Sequence, residues 1–308
     1  MKNSIRKFQL ILVALAAVAI FASCNKDEDP APMQTMNIAE TASTDSRFTI
    51  LAEALTKAGL VSALEGPGPF TVFAPTNDAF NALFADLGVS GLADLSAETL
   101  KPILLNHVIG AKVMAADVTT GYAATLNNTA PNQNNVMVYI NVSNGVMVDG
   151  SKVIVTDVEA SNGVIHAIDK VILPASVVNH AINNPNFSIL VQAVVKANLV
   201  DALSAEGPYT VFAPTNTAFE ALFSALKVDG INALTAEQLS PILLYHVVSG
   251  NVLASQVTSG MVPTLNGKDL TVVANGSGVS LNETTNVIAT DVQGTNGVIH
   301  VIDAVLLP

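Results

Sequence analysis

Apolar residues recur along this chain in three rhythms. The first is an unbroken run from Leu10 to Ala22, preceded by Lys2, Arg6 and Lys7. The run is shorter than the ~20 residues a helix needs to span a bilayer. A basic flank before a short apolar stretch predicts a secretory leader over residues 1–23. The second rhythm has a period near ~3.6 residues. Phe48, Leu51, Ala52 and Leu55 follow it, as do Phe187, Leu190, Val191, Val194 and Val195, and both sets predict amphipathic helices with these side chains facing a core. The third is alternation. Segments 136–142, 145–148, 153–158 and 164–173 read as strands separated by Asn, Gly and Ser.

Punctuation between these segments fixes their order. Gly66-Pro67-Gly68-Pro69, shortened to Gly207-Pro208 later in the chain, predicts a turn before short strands at Thr71–Phe73 and Thr210–Phe212. Pro75 holds its predecessor extended. Thr76 or Asn77 can then cap a helix through a side-chain oxygen. Ser96 and Thr235 are further cap candidates, and Thr235-Ala236-Glu237-Gln238 has the spacing of a capping box. Helices first and mostly antiparallel strands afterwards predict an α+β domain.

The whole pattern occurs twice. Residues 48–80 and 187–219 align without a gap, with 21 of 33 positions identical. Ile103–Val108 returns as Ile242–Val247, and Asn162–Pro174 returns as Asn296–Pro308. The offset shrinks from 139 to 134 residues between these matches, so the first copy holds about five additional residues, expected in the Asn- and Pro-rich stretch 127–135. A period this long is a whole domain rather than a solenoid repeat. The expected organisation is a leader at 1–23, an acidic tether at 24–35, and domains at 36–174 and 175–308. A short linker should make the domains an elongated, semi-rigid pair.

TVFAPTNDAF at 71–80, a hydrophobic helix ending in His, and the closing NGVIHAIDKVILP at 162–174 all recur in the second copy. Together they resemble the fasciclin family over residues 36–308. The resemblance implies, for each domain, a β-wedge or sandwich of about seven strands with packed helices. It also implies work in cell adhesion, matrix contact or protein binding. The family's Tyr-His motif is implicated in adhesive recognition, which makes Tyr245 and His246 the candidate partner-binding residues. The first copy has Asn106-His107 instead, which departs from the motif. Core packing with a buried hydrogen bond is the competing reading of the same pair.

Composition narrows the function. Half of the residues are hydrophobic and 12% are charged, so each copy can bury a core. Trp is absent and the net charge is −12, which removal of the leader's three cations would make more negative. Such a chain repels phosphate backbones, and no nucleic-acid partner is expected. Cys24 is the only cysteine, so no internal disulfide can form. Phe21-Ala22-Ser23-Cys24 resembles a bacterial lipobox, with Phe in the position usually held by Leu. That resemblance implies cleavage before Cys24 and a diacylglycerol on its thiol, where each buried CH₂ contributes ~0.8 kcal/mol. An uncleaved leader with an incidental Cys is the other reading. Lys26-Asp27-Glu28-Asp29 is similar to the export signals of some surface lipoproteins, and serves equally as a solvated tether. The expected location is the outer membrane, lipid-anchored and facing outward, with the periplasmic face as the alternative.

The five histidines are the candidate chemistry. His107 and His246 end helices. His166 and His300 lie between apolar neighbours on the last strand of each copy, where core histidines are expected. His180 stands where the first copy has Thr41. No HExxH, paired-Cys spacing, G-x-S-x-G or phosphate-binding loop occurs, so no metal, cofactor or catalysis is expected. Asn-x-Ser/Thr sequences at Asn127, Asn141, Asn186, Asn275 and Asn282 read as Asn-rich loops. The expected function is adhesion or interaction with an extracellular protein or glycan. The alternative is a carrier of an apolar ligand, a pigment or lipid, in a Val- and Leu-rich site.

Overall fold

The computed structural model of the chain describes residues 35–276 and 278–308. The expected leader, Cys24 and the tether up to residue 34 lie outside the described residues.

The first copy opens with helices α1 (Ile38–Thr44), α2 (Thr49–Lys57) and α3 (Val61–Leu64). Strand β1 (Phe70–Pro75) and helices α4 (Asn77–Leu87) and α5 (Ala97–Leu105) follow. Strands β2 (Val108–Ile109), β3 (Gly121–Ala124), β4 (Met137–Asn141), β5 (Met147–Val148), β6 (Ser151–Ala160) and β7 (Gly163–Ile168) complete it. The second copy repeats the order with α6 (Val177–Asn183), α7 (Ser188–Lys196), α8 (Val200–Ser204), β8 (Tyr209–Pro214), α9 (Asn216–Leu226) and α10 (Ala236–Tyr245). Its remaining strands are β9 (Val247–Ser249), β10 (Gly260–Pro263), β11 (Asp269–Asn275), β12 (Gly278–Leu281), β13 (Thr285–Gly294) and β14 (Gly297–Ile302). Each copy forms one seven-stranded mixed sheet, ordered β2-β1-β7-β6-β5-β4-β3 in the first and β9-β8-β14-β13-β12-β11-β10 in the second. The fold is therefore α+β, as the pattern requires.

The caps fall where the sequence places them. Thr76 accepts the Ala79 amide at the start of α4, Ser96 accepts that of Thr99 on α5, and Thr235 with Gln238 closes a capping box on α10. Three expectations need correction. The last strand of the first copy stops at Ile168, because Asp169 turns outward to accept the Lys152 amide at 2.7 Å. Segment 153–158 is the middle of a longer, bulged β6. On α7, Phe187 just before it and Leu190 and Val194 on it are buried, but Val195 is 56% exposed. The i, i+3, i+7 stripe faces the core, and a residue at i+8 has already rotated to its edge. The first copy's additional residues fall in the β3–β4 connection, 125–136, against 264–268 in the second.

Each sheet contains one parallel pair, second and third from one edge. β1 runs beside β7 in register from Phe70↔Gly163 to Pro75↔Ile168, and β8 beside β14 likewise. Both faces of these strands are covered, so β7 and β14 are buried along their whole length. Asn162, at the tip of the β6–β7 hairpin, locks the pair to the helices. Its amide donates to the carbonyls of Leu64 (2.6 Å) and Gly66 (2.8 Å), and its Oδ1 accepts the Ile38 amide at 3.0 Å. Its backbone carbonyl accepts the Phe70 amide. Asn296 repeats all four bonds, to Leu203, Ala205, Val177 and Tyr209. The next residue must be Gly, because a Cβ on Gly163 or Gly297 would fall on the carbonyl of Phe70 or Tyr209.

Asn162→Ala leaves three backbone groups without partners. It should lower the unfolding free energy by about 3 kcal/mol, since each unsatisfied buried group costs ~1–3 kcal/mol. Urea titration of the full chain measures this, and Asn296→Ala should cost a similar amount.

Candidate functional site

The Tyr-His pair sits at the end of α10. His246 is buried, and its Nε2 accepts the Leu306 amide at 2.9 Å. Its Nδ1 must therefore carry the proton, donated to the Ile242 carbonyl at 2.8 Å. His107 does the same, accepting from Ile172 and donating to Ile103. Each imidazole thus ties the chain beyond the last strand of its domain to the end of a helix. Burial pushes the pKa of both down from 6.5 to about 4, against the opposing pull of the helix carbonyl, so both are neutral. Tyr245 is also buried. Its hydroxyl donates to the Asp269 carbonyl at 2.9 Å and accepts from the Asn282 amide at 3.0 Å, which joins α10 to β11 and to the turn after β12. Asn106 is too short to reach that far, and its buried amide nitrogen has no partner.

His166 and His300 face the other side of the sheet. Nδ1 of His166 accepts the Asp157 amide at 3.2 Å, and Nε2–H donates to the Val113 carbonyl at 3.0 Å. His300 pairs with Asp291 and Val252 in the same way, and burial lowers its pKa. Phe73 and Phe212 pack beside these rings at 5.8 Å. All four repeated histidines therefore have both nitrogens committed to backbone groups. Among the described residues no cluster of three or more His, Cys, Asp or Glu could hold a metal ion, and no helix is long and apolar enough to cross a membrane.

The fifth histidine belongs to a different construction. His180 on α6 is fully buried where the second domain meets the first. Its ring stands edge-on to Tyr122 of β3, with centroids 5.6 Å apart, and Tyr122 packs in turn against Tyr139 of β4 at 5.0 Å with the rings tilted by 53°. Asn184 donates to the Tyr122 hydroxyl at 3.1 Å. Nε2–H of His180 points to the Gln293 carbonyl at 3.2 Å, so Nδ1 holds a bare lone pair with no partner. Asp149, in the turn between β5 and β6, adds a second unpaired atom. Its Oδ1 accepts the Tyr139 amide at 2.9 Å, while its Oδ2 is shut away from solvent without a hydrogen bond. Burial raises the Asp149 pKa from 3.8 to about 6, opposed by the Tyr139 amide and the nearby Asn183 side chain.

The sequence profile of the fasciclin domain matches residues 46–174 and 185–308. The chain belongs to the fasciclin family. A stretch of 133 residues, 43% of this chain, is 50% identical to Protein sll1483 of Synechocystis and covers 73% of that protein. Transforming growth factor-beta-induced protein ig-h3 of Sus scrofa is 32% identical over 253 residues, which is 80% of this chain and 35% of ig-h3. The chain therefore spans about a third of that relative's length. Cell surface glycolipoprotein MPB83 of Mycobacterium bovis is 39% identical over 133 residues, 42% of this chain and 58% of that protein. A fasciclin domain pair from the insect cell adhesion molecule Fasciclin I covers 88% of this chain, and 96% of the insect chain is matched, at 22% identity and a TM-score of 0.48.

Sequence reasoning located the repeated histidines but missed the seam between the fasciclin domains. The signal was present as differences between the copies. Lys112 and Glu159 form a surface ion pair at 2.7 Å in the first domain. Their counterparts Asn251 and Gln293 are a buried, doubly hydrogen-bonded amide pair in the second. Charges give way to neutral amides on the face that a neighbour covers, as the desolvation cost of charge requires.

Two outcomes follow for pH. A buried neutral histidine favours the fold above 6.5, and that contribution is lost as pH falls through about 4. Urea titration should show the full chain weakening over this window by up to about 3 kcal/mol for each such histidine. Asp149 has the opposite sign, because its raised pKa favours the closed seam at low pH and costs stability as pH rises through about 6. Asp149→Asn, the residue found at the equivalent Asn282, should gain about 1–2 kcal/mol at alkaline pH, a gain that shrinks once the pH is well below 6.

Proposed function

We propose that this chain is a lipid-anchored interaction protein of the bacterial cell surface. Cys24 carries the acyl groups, the acidic tether spaces the body from the membrane, and the fasciclin pair meets an extracellular protein or glycan. The observation that carries the reading is the commitment of the repeated histidines. With both nitrogens of His107, His166, His246 and His300 held by backbone groups, none is free to act as a base, nucleophile partner or metal ligand. What the domains offer a partner is their shape and their acidic surface, which steers association with cationic partners. The relative whose name describes a cell-surface glycolipoprotein supports the location.

Within this reading Tyr245 and His246 act as positioning residues. They lie beneath the surface and hold α10 against β11 and against the chain around Leu306. A partner would meet the surface they shape rather than the side chains themselves.

The test is made on cells. Labelled palmitate should enter the wild-type chain and not Cys24→Ser, and antibody should label intact cells. Deleting the gene should weaken attachment to a protein- or glycan-coated surface several-fold. Label in the Cys24→Ser chain would refute the anchor, and unchanged attachment across such surfaces would refute the contact role.

A further inference from the structure

On the His166 side of its sheet the first domain holds a cavity of about 190 Å³, between β1, the β2–β3 connection and strands β3 and β4. Ile109, Val113, Val118 and Ile140 give it aliphatic walls, and two aromatic side chains join them, Phe73 of β1 and Tyr122 of β3. Most of its polar groups are already committed. Thr71 donates to the Ala111 carbonyl at 2.6 Å and accepts the Val113 amide at 2.9 Å, and both nitrogens of His166 are bonded to the backbone. Asp117, which is exposed, is the acidic side chain of the lining, and no Lys or Arg accompanies it. The ion pairs among the described residues join Arg47 to Asp45 and Lys112 to Glu159, so none of them engages the Asp117 carboxylate. A lone carboxylate beside aromatic rings in an otherwise apolar cavity selects a cation.

What the cation carries on its nitrogen follows from the groups left to bond it. A primary ammonium brings three N–H donors. Asp117 and Thr119 hold the lining's side-chain oxygens that have no bond among the described residues, since the Tyr122 hydroxyl already accepts from Asn184. Three donors among aliphatic walls would be poorly satisfied. A trimethylammonium group brings no donor at all. Its methyls pack against aliphatic and aromatic side chains, and its diffuse charge is met by the rings and the carboxylate. The second domain is an internal control for what the fold itself needs. It keeps a cavity of about 240 Å³ with the equivalent Thr210, Phe212 and His300 in its lining. There Gln256 stands in place of Asp117 and uses its Oε1 to accept the Leu253 amide at 3.0 Å. Met261 stands in place of Tyr122 and is 69% exposed. The cavity therefore forms without the charge and without the second ring, and packing does not explain either. Tyr122 is in turn held by the second domain, through the edge of His180 and the amide of Asn184, so the seam braces one wall of the site.

We propose that the cavity of the first domain binds one small quaternary ammonium solute of the choline class. The full chain is titrated calorimetrically with choline chloride against a sodium chloride blank. One site per chain is expected, saturating below about 10 mM. Two ligands of similar size separate charge from shape. The neutral carbon isostere of choline, with a tert-butyl group in place of trimethylammonium, should bind at least tenfold more weakly, and so should ethanolamine. Asp117→Gln installs the second domain's residue at an exposed position and should weaken choline binding about tenfold with an unchanged circular dichroism spectrum. Gln256→Ala alters the second cavity and should bind choline like the wild type. The proposal is overturned by absence of saturation, by two equal sites per chain, by equal affinity for the isostere or for ethanolamine, or by undiminished binding in Asp117→Gln. Binding to phosphatidylcholine vesicles without binding to free choline would also overturn it. The site is separate from the lipid anchor, and its failure would leave the contact role standing.

Discussion

Each domain is closed by an asparagine at the tip of its last hairpin. A parallel strand pair cannot be joined by a short turn, and most of the domain's chain lies between β1 and β7. Asn162 and Asn296 secure that non-local contact by bonding, through one side chain, the carbonyls that end one helix and the amide that begins another. In the second domain the amide is that of Val177, the first residue of α6. The position of α6 thus depends on a residue near the far end of the chain, and the seam depends on α6.

The histidines show how a titratable residue becomes structural. Each repeated imidazole accepts a backbone N–H on one nitrogen and donates to a carbonyl from the other, which fixes its tautomer and its neutrality together. The strongly apolar core around His107 and His246 disfavours protonation, and the bonds leave no lone pair free. A side chain suited to acid–base work is thereby confined to joining helix, strand and the end of each repeat. This is consistent with a protein whose interactions are made by its surfaces.

The duplication separates what the fold demands from what one copy has added. Asn-Gly hairpin tips, helix caps and neutral histidine struts are common to both copies. The seam is not. Thr41, Glu159 and Lys112 become His180, Gln293 and Asn251 where the second domain is covered by the first. Ser43 and Thr56 become the exposed Ile182 and Val195.

The sequence by itself determined the number of domains' worth of pattern, the α+β order, the helix caps and the family, because these follow from local periodicity, capping chemistry and an internal repeat. It also marked His166 and His300 as core residues through their apolar neighbours, while His246 stood as a candidate for partner binding with core packing as the competing reading. Only the tertiary structure decided that Tyr245 and His246 lie beneath the surface, that Val195 looks outward, and that His180, Tyr122 and Asp149 meet across a boundary. These facts depend on which residues distant along the chain come to share one desolvated space. Spacing along a strand or helix carries no record of that, since the cost of burying a polar group is set by its neighbours in three dimensions.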